Sequence, residues 1–139
     1  MSIGYSIYIK VELEFNIENI KQTLEKGTTV GFEYGELVIK PNNLCEFYHV
    51  SIDTILINIQ NALSNNDIFI IRANIENTST DLFFSDSEGY VGITFMGMSP
   101  EWSKQYANGT LDLDIQRYAH VMFNFINDYQ ILAMNIEKD

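Results

Sequence analysis

Apolar and polar residues alternate along the first fifteen positions of the chain. The odd positions from Ile3 to Phe15 carry apolar or aromatic side chains, whereas the even positions between them carry Gly, Ser, Tyr, Lys and Glu. A period of two over thirteen residues is typical of a β-strand with one buried face and one solvent-exposed face. The pattern predicts a long strand in a sheet that helices cover on one side and leave open on the other.

Three later stretches have apolar residues at helical spacing. The stripes run from Ile17 to Leu24, from Ile52 to Leu63 and from Ile115 to Tyr129. Each follows a residue that suits an N-cap: Asn16, Ser51, and either Asp112 or Asp114. Gly27 is the expected C′ residue of the first helix. We therefore expect three helices.

The remaining segments predict strands and turns. We expect two short strands around Gly35, a turn at 41–43, and a short strand or loop at 44–49. A strand over 68–76, a turn at 77–80, a hairpin with arms 81–85 and 90–96, and a closing strand over 130–136 follow. Between hairpin and last helix, Ser99, Pro100 and Glu101 predict a short capped turn, and Asn108-Gly109 predicts a second turn.

The order of these elements predicts the fold class. It is an α+β domain with a mainly antiparallel sheet of about five to seven strands and about three helices, mostly on one face of the sheet. We expect residues 1–139 to form a single domain, because the chain contains no internal repeat and no linker-like segment.

The charge of the chain excludes some partners. The formal net charge is −11, from 19 acidic and 8 basic residues. Between positions 41 and 103, Arg72 is the only basic residue against eight acidic ones. Nucleic acid and anionic membranes are poor partners for such a chain, whereas a basic protein would be attracted and steered. The alternative is that the acidity only keeps the protein soluble.

The location of the protein is predicted from what the sequence lacks. Cys45 is the single cysteine, so it has no intrachain disulfide partner. The first residues have no signal-peptide pattern, and no apolar run approaches the roughly 20 residues that span a bilayer. We expect a cytoplasmic protein without a membrane segment.

A search for reactive groups predicts no enzyme. His49 and His120 lack neighbours at metal-ligand spacing, and no nucleophile-elbow or phosphate-binding glycine pattern is present. Cys45 and His49 could form a thiolate–imidazole pair only if their segment were helical. We expect no catalytic residue, no metal and no cofactor.

Two features indicate binding instead. One is an acidic, aromatic segment from Asp86 to Tyr106, whose expected partner-binding residues are Asp86, Glu88, Tyr90, Glu101, Trp102 and Tyr106. The alternative for Trp102 is that it closes one end of the core. The other feature is the open sheet face, where Arg72 could hold a ligand carboxylate in a small ligand-binding or enzymatic domain. A homodimer through that face or an edge strand is a third possibility.

The run DLFFSDSEGYVGITFMGMSPEW over residues 81–102, followed by a helix and a closing strand, resembles the layout of immunity proteins from bacterial toxin–immunity systems. The resemblance covers about residues 81–136 and rests on this layout and on acidity. It implies a non-enzymatic inhibitor that occludes a cognate, often basic, toxin domain. It transfers no catalytic residue.

Overall fold

The structure is a computed structural model that describes residues 4–76, 78–98 and 102–138. These residues form three helices and nine strands, so the predicted α+β class is confirmed. The helices are α1 (Ile17–Thr29), α2 (Ile52–Ser64) and α3 (Ile115–Ile126). The strands are β1 (Gly4–Glu14), β2 (Glu33–Ile39), β3 (Cys45–His49), β4 (Ile70–Ile75), β5 (Thr78–Ser87), β6 (Tyr90–Met98), β7 (Ser103–Gln105), β8 (Leu111–Leu113) and β9 (Ile131–Lys138).

Seven of the strands form one sheet in the order β3-β2-β4-β5-β6-β1-β9. Every neighbouring pair in this sheet is antiparallel. The connection from β1 through α1 to β2 crosses the sheet, because three strands lie between β1 and β2. Strands β7 and β8 form a separate two-stranded sheet before α3.

Strand β1 confirms the alternation read from the sequence. Ile7, Ile9 and Val11 are buried, whereas Lys10 and Glu12 on the other face are not. The helices lie on the buried face, which is therefore the helix side of the sheet. The Tyr34 hydroxyl of β2 donates a 2.8 Å hydrogen bond to the Leu24 carbonyl of α1.

The predicted N-caps are confirmed. The side chain of Asn16 accepts a 2.9 Å hydrogen bond from the Asn19 N–H, and Ser51 accepts one from the Thr54 N–H at 3.3 Å. Of the two candidates for α3, the cap is Asp114, which accepts from the backbone N–H of Arg117 at 3.1 Å. Each cap satisfies a donor that the first helical turn leaves without a partner.

The prediction that Gly27 ends α1 is wrong. The helix continues to Thr29, and Gly27 lies buried inside it. A Cβ atom at this position would overlap the hydroxyl of Tyr34 and touch the rings of Phe125 and Phe32. Gly27 is therefore required by close packing between α1 and β2, and not by the left-handed backbone of a helix C-terminus.

Other boundaries also differ from the prediction. The segment around Gly35 is one strand, β2, and residues 45–49 form strand β3. The turn expected at 77–80 is shorter, because Glu76 adopts φ 52° and β5 already begins at Thr78. Strands β7 and β8 were not predicted, since three residues are too short to show a period. The turn predicted at 99–101 lies outside the described residues, as does Asn77.

Gly97 on β6 offers a test of this packing. We expect Gly97→Ala to lower the free energy of unfolding by about 1–3 kcal/mol, because a Cβ atom there would overlap the buried ring of Tyr118. Urea denaturation measures the change. The control is Ser79→Ala on the exposed face of β5, which should stay within about 0.5 kcal/mol of wild type. Equal stabilities of the two variants would contradict the close contact.

Candidate functional site

The β5–β6 connection is a tight two-residue turn that presents acidic groups. Glu88 and Gly89 have φ angles of 56° and 91°, and positive φ at both central residues defines the type I′ turn that two-residue hairpins prefer. The Asp86 carboxylate accepts a 2.8 Å hydrogen bond from the Gly89 N–H. The Gly89 carbonyl in turn accepts a 2.9 Å bond from the Phe15 N–H, which fixes the turn against the end of β1.

Two side chains of β1, Tyr8 and Lys10, reach this turn, and the Tyr8 hydroxyl hydrogen-bonds that of Ser87. Lys10 Nζ lies 3.3 Å from the Glu88 carboxylate and 5.6 Å from the centre of the Tyr90 ring. Glu14 lies opposite Tyr90 in the strand register. The predicted partner-binding residues Asp86, Glu88 and Tyr90 thus lie together at one end of the sheet, where a single lysine opposes the acidic groups.

A small apolar cleft opens beside the turn. It has a volume of about 170 Å³ and lies where α1 and α2 meet the ends of β4 and β5. Its lining is mostly aromatic and aliphatic, with Asp67 as its only charged residue: Phe15, Ile20, Ile59, Leu63, Asp67, Ile68, Phe69, Phe83, Phe84 and Ser85. Ile68 is 75% exposed at this site. We call Glu14, Asp67, Asp86, Glu88, Tyr90 and the cleft the hairpin end.

The other predicted binding residues lie elsewhere. Trp102 is 0% exposed, packs edge-on against Tyr118 with ring centres 5.1 Å apart, and has the guanidinium carbon of Arg117 at 4.3 Å from its ring centre. The interpretation of Trp102 as an interface anchor is therefore corrected: it closes one end of the core. Tyr106 is half-buried and donates its hydroxyl hydrogen to the Leu113 carbonyl. Glu101 lies outside the described residues.

The length of β6 explains why the six predicted residues form no single surface. The strand runs from Tyr90 to Met98, which separates its two ends by roughly 27 Å at about 3.4 Å per residue. Asp86, Glu88 and Tyr90 lie at its beginning, while Trp102 follows its end. Residues close in sequence can thus lie at opposite ends of the sheet.

Arg72 lies on the open sheet face, as predicted. It forms an ion pair with its cross-strand neighbour Asp81, with Nε to Oδ1 at 3.0 Å. Arg72 lines neither the apolar cleft nor three further surface cavities of the described residues. A ligand carboxylate would have to compete with Asp81 for the guanidinium of Arg72. The alternative of a ligand site around Arg72 therefore stays a prediction.

Tyr5, Asp112 and Lys138 form a polar cluster that the sequence did not reveal. Lys138 Nζ lies 3.0 Å from the Asp112 carboxylate, and the Tyr5 hydroxyl donates to the same oxygen at 3.2 Å. The hydrogen bond from Lys138 is the main reason why the pKa of Asp112 lies below its usual value, and the Leu113 N–H adds to the effect. The cluster joins the last strand to β8.

The strand geometry separates the one candidate nucleophile from its candidate base. Cys45 and His49 lie four residues apart on β3, opposite Ile39 and Gly35, so their Cα atoms are about 13 Å apart. A thiolate–imidazole pair needs hydrogen-bond distance. Among the described residues, no group of three His, Cys, Asp or Glu side chains could hold a metal ion.

Comparisons with known proteins provide no relative for this chain. No family model matches it, and neither the curated proteins nor the solved structures contain a significant match. Within the described residues, no helix is long and apolar enough to cross a membrane. Function is therefore inferred from the hairpin end and from the charge distribution.

The Asp112 cluster yields a prediction about pH. Because the folded pKa of Asp112 is depressed, its stabilising contribution is present above the usual value of 3.8 and is lost as pH falls through the depressed value. Lys138→Met should raise the pKa of Asp112 toward 3.8, and carboxyl-carbon NMR titration measures it. Lys40→Met, which removes a lysine 3.6 Å from Glu46 near the other edge of the sheet, should leave the pKa of Asp112 unchanged. An unchanged Asp112 in Lys138→Met would refute the assigned cause.

Proposed function

We propose that this protein is a non-enzymatic acidic binding protein, an immunity protein that inhibits a cognate basic bacterial toxin domain by occluding its site. We further propose that it binds through the hairpin end. The single observation that supports this proposal most is the apolar cleft beside carboxylates that have no cationic partner in the described chain. The carboxylates call for a basic partner, and the cleft calls for an apolar side chain on that partner.

Three of the four carboxylates at the hairpin end are available to a partner, since Glu88 is paired with Lys10. Seven lysine or arginine side chains lie within 4.0 Å of a carboxylate: Lys10, Lys26, Lys40, Arg72, Lys104, Arg117 and Lys138. Within the described residues, Glu14, Asp67 and Asp86 have no such ion pair. A basic partner would therefore meet uncompensated negative charge here, which favours fast association.

The cleft suits a side chain rather than a cofactor. Its volume of about 170 Å³ lies below the roughly 300–1,000 Å³ of typical small-molecule sites. Its wall of Phe15, Phe69 and Phe83 is apolar, and Asp67 lies in its lining. An apolar side chain flanked by lysine or arginine would fill such a cleft and pair with the surrounding acids. A buried apolar anchor with a charged rim is the usual arrangement of a protein–protein hot spot.

The role of the hairpin-end carboxylates is tested with the proteins that the adjacent genes encode. Binding of each product to this protein is measured by calorimetry and surface plasmon resonance. With the product that binds, the double variant Asp67→Asn, Asp86→Asn should lower the association rate about tenfold at low salt and less at high salt. The amide that replaces the Asp86 carboxylate keeps an oxygen that can accept from Gly89, so the turn should persist.

The matched control removes two charges at another place. Glu33→Gln, Glu36→Gln on β2 changes the net charge equally and should affect the association rate much less. Equal effects of the two double variants would show that only total charge matters and would remove the hairpin end from the proposal. If no adjacent gene product binds, the proposed immunity function fails.

The cleft is tested with an aspartate at its mouth. Ile68→Asp should raise the dissociation rate of the same complex by about tenfold or more, because it places a charge where an apolar side chain would bind. Ile57→Asp on α2 is the control, since Ile57 is 60% exposed and does not line the cleft. Circular dichroism confirms that both variants fold. A dissociation rate that Ile68→Asp leaves unchanged would contradict the role of the cleft.

A further inference from the structure

Strand β9 ends the sheet with an uncovered apolar surface. It pairs with β1 on one side, and no strand of the described chain pairs with its other side. All eight of its residues are exposed. Its large apolar side chains are between 41% and 49% exposed: Ile131, Leu132, Met134 and Ile136.

The two edges of the sheet differ in protection. Strand β3 is five residues long and carries Glu46, which lies 3.6 Å from Lys40. Strand β9 is eight residues long, and positions 129–136 contain no charged residue. Short length and charged side chains are ways in which proteins prevent edge strands from pairing. By that criterion β3 is protected, and most of β9 is not.

The register with β1 shows which side chains of β9 lie on which face. Met134 is opposite Ile9 and Ile136 is opposite Ile7, so both lie on the helix side. Ile7 and Ile9 are buried there, whereas Met134 and Ile136 are about half exposed. The helix layer therefore ends before it reaches β9. Asn135, opposite Tyr8, lies on the open face.

We propose that two copies of this chain associate through β9, antiparallel strand to antiparallel strand, around Asn135. The register with β1 shifts at Leu132, which limits the regular edge to positions 133–138. A two-fold axis at Asn135 pairs Met134 of one copy with Ile136 of the other on the helix side. Asn135 then lies opposite its own equivalent on the open face. The Met134–Ile136 contact thus occurs twice, in the self-complementary way that two-fold symmetry requires.

The lack of charge at this edge allows a second copy of the chain to occupy it. Two chains of net charge −11 repel each other, so they can meet only where charge is sparse, and positions 129–136 meet that condition. A basic partner would instead be attracted to the carboxylates of the hairpin end. One regular strand edge of roughly 20 Å is a small contact, so we expect a weak dimer with a dissociation constant in the range of about 10 µM to 1 mM.

The dimer is independent of the function proposed above. A two-fold axis perpendicular to the sheet keeps the helices of both copies on the same face and directs the two hairpin ends to opposite ends of the joined sheet. Each hairpin end stays accessible. Loss of self-association should therefore leave binding of a basic partner unchanged.

Sedimentation velocity and equilibrium over about 10 µM to 1 mM protein test the proposal. The wild-type mass should rise toward twice the monomer mass. Ile136→Lys should weaken association at least tenfold, because it places a cation in the apolar row of each copy. The control is Ile39→Lys near the other edge, where Ile39 is 72% exposed. It should associate like wild type.

A cross-linking variant gives an independent readout should Ile136→Lys fail to fold. Asn135→Cys in a Cys45→Ser background places two thiols opposite each other, within reach of a disulfide. It should form a covalent dimer on mild oxidation, whereas Ala107→Cys in the same background should not. A monomeric mass at all concentrations would overturn the proposal. So would wild-type association of Ile136→Lys, or equal cross-linking of the two cysteine variants.

Discussion

The fold depends on pairing β1 with two strands from the distant C-terminal half. Ile7 lies opposite Phe95 of β6 on one side and opposite Ile136 of β9 on the other. Neither pair can form until the N-terminal segment meets a chain segment that follows it by most of the sequence length. Closing such loops costs entropy before the contacts form, so this topology is expected to fold slowly for its size. The buried row Ile7, Ile9 and Val11 compensates that cost with apolar contacts.

The end of the sheet that holds Trp102 is closed by packing. Tyr118 of α3 lies against Gly97 of β6, and its hydroxyl is 3.0 Å from that of Thr80. Trp102 packs against the edge of the same ring, and the guanidinium of Arg117 lies over Trp102. Arg117 is held in turn by the carboxylate of Glu76 at 2.7 Å. This set leaves no room for Trp102 to reach a partner, which favours the opposite end as the binding surface.

Regular patterns were readable from the sequence, and close contacts were not. The alternation in β1 and the caps Asn16 and Ser51 depend on neighbouring residues, so they were predicted from the local sequence, which left Asp112 and Asp114 as alternatives for the cap of α3. Gly27 is explained by Tyr34, Phe32 and Phe125, which all lie outside the helix that contains it. The short strands β7 and β8 are stable because they pair with each other, and neither shows a period of its own.

The same distinction applies to the candidate site. Asp86, Glu88 and Tyr90 belong to one turn, and the sequence grouped them correctly. Their neighbours at the cleft come from separate segments: Phe15 follows β1, Asp67 follows α2, and Ile68 precedes β4. No short-range pattern connects these positions, because the crossing helices bring them together. Residues 86–106 are continuous in the sequence, but strand β6 places the two ends of this segment at opposite ends of the sheet.

The hairpin end and the edge of β9 should respond differently to salt. Tyr8, which faces Asn135, and Glu14 at the hairpin end are six residues apart on β1, or roughly 20 Å. The Debye length is about 8 Å at physiological ionic strength, so the hairpin-end carboxylates are largely screened at the centre of β9. Salt that weakens the attraction of a basic partner should therefore strengthen pairing between two acidic copies. Opposite salt dependences would identify the two contacts even where both form in the same solution, because one depends on charge attraction and the other is opposed by charge repulsion.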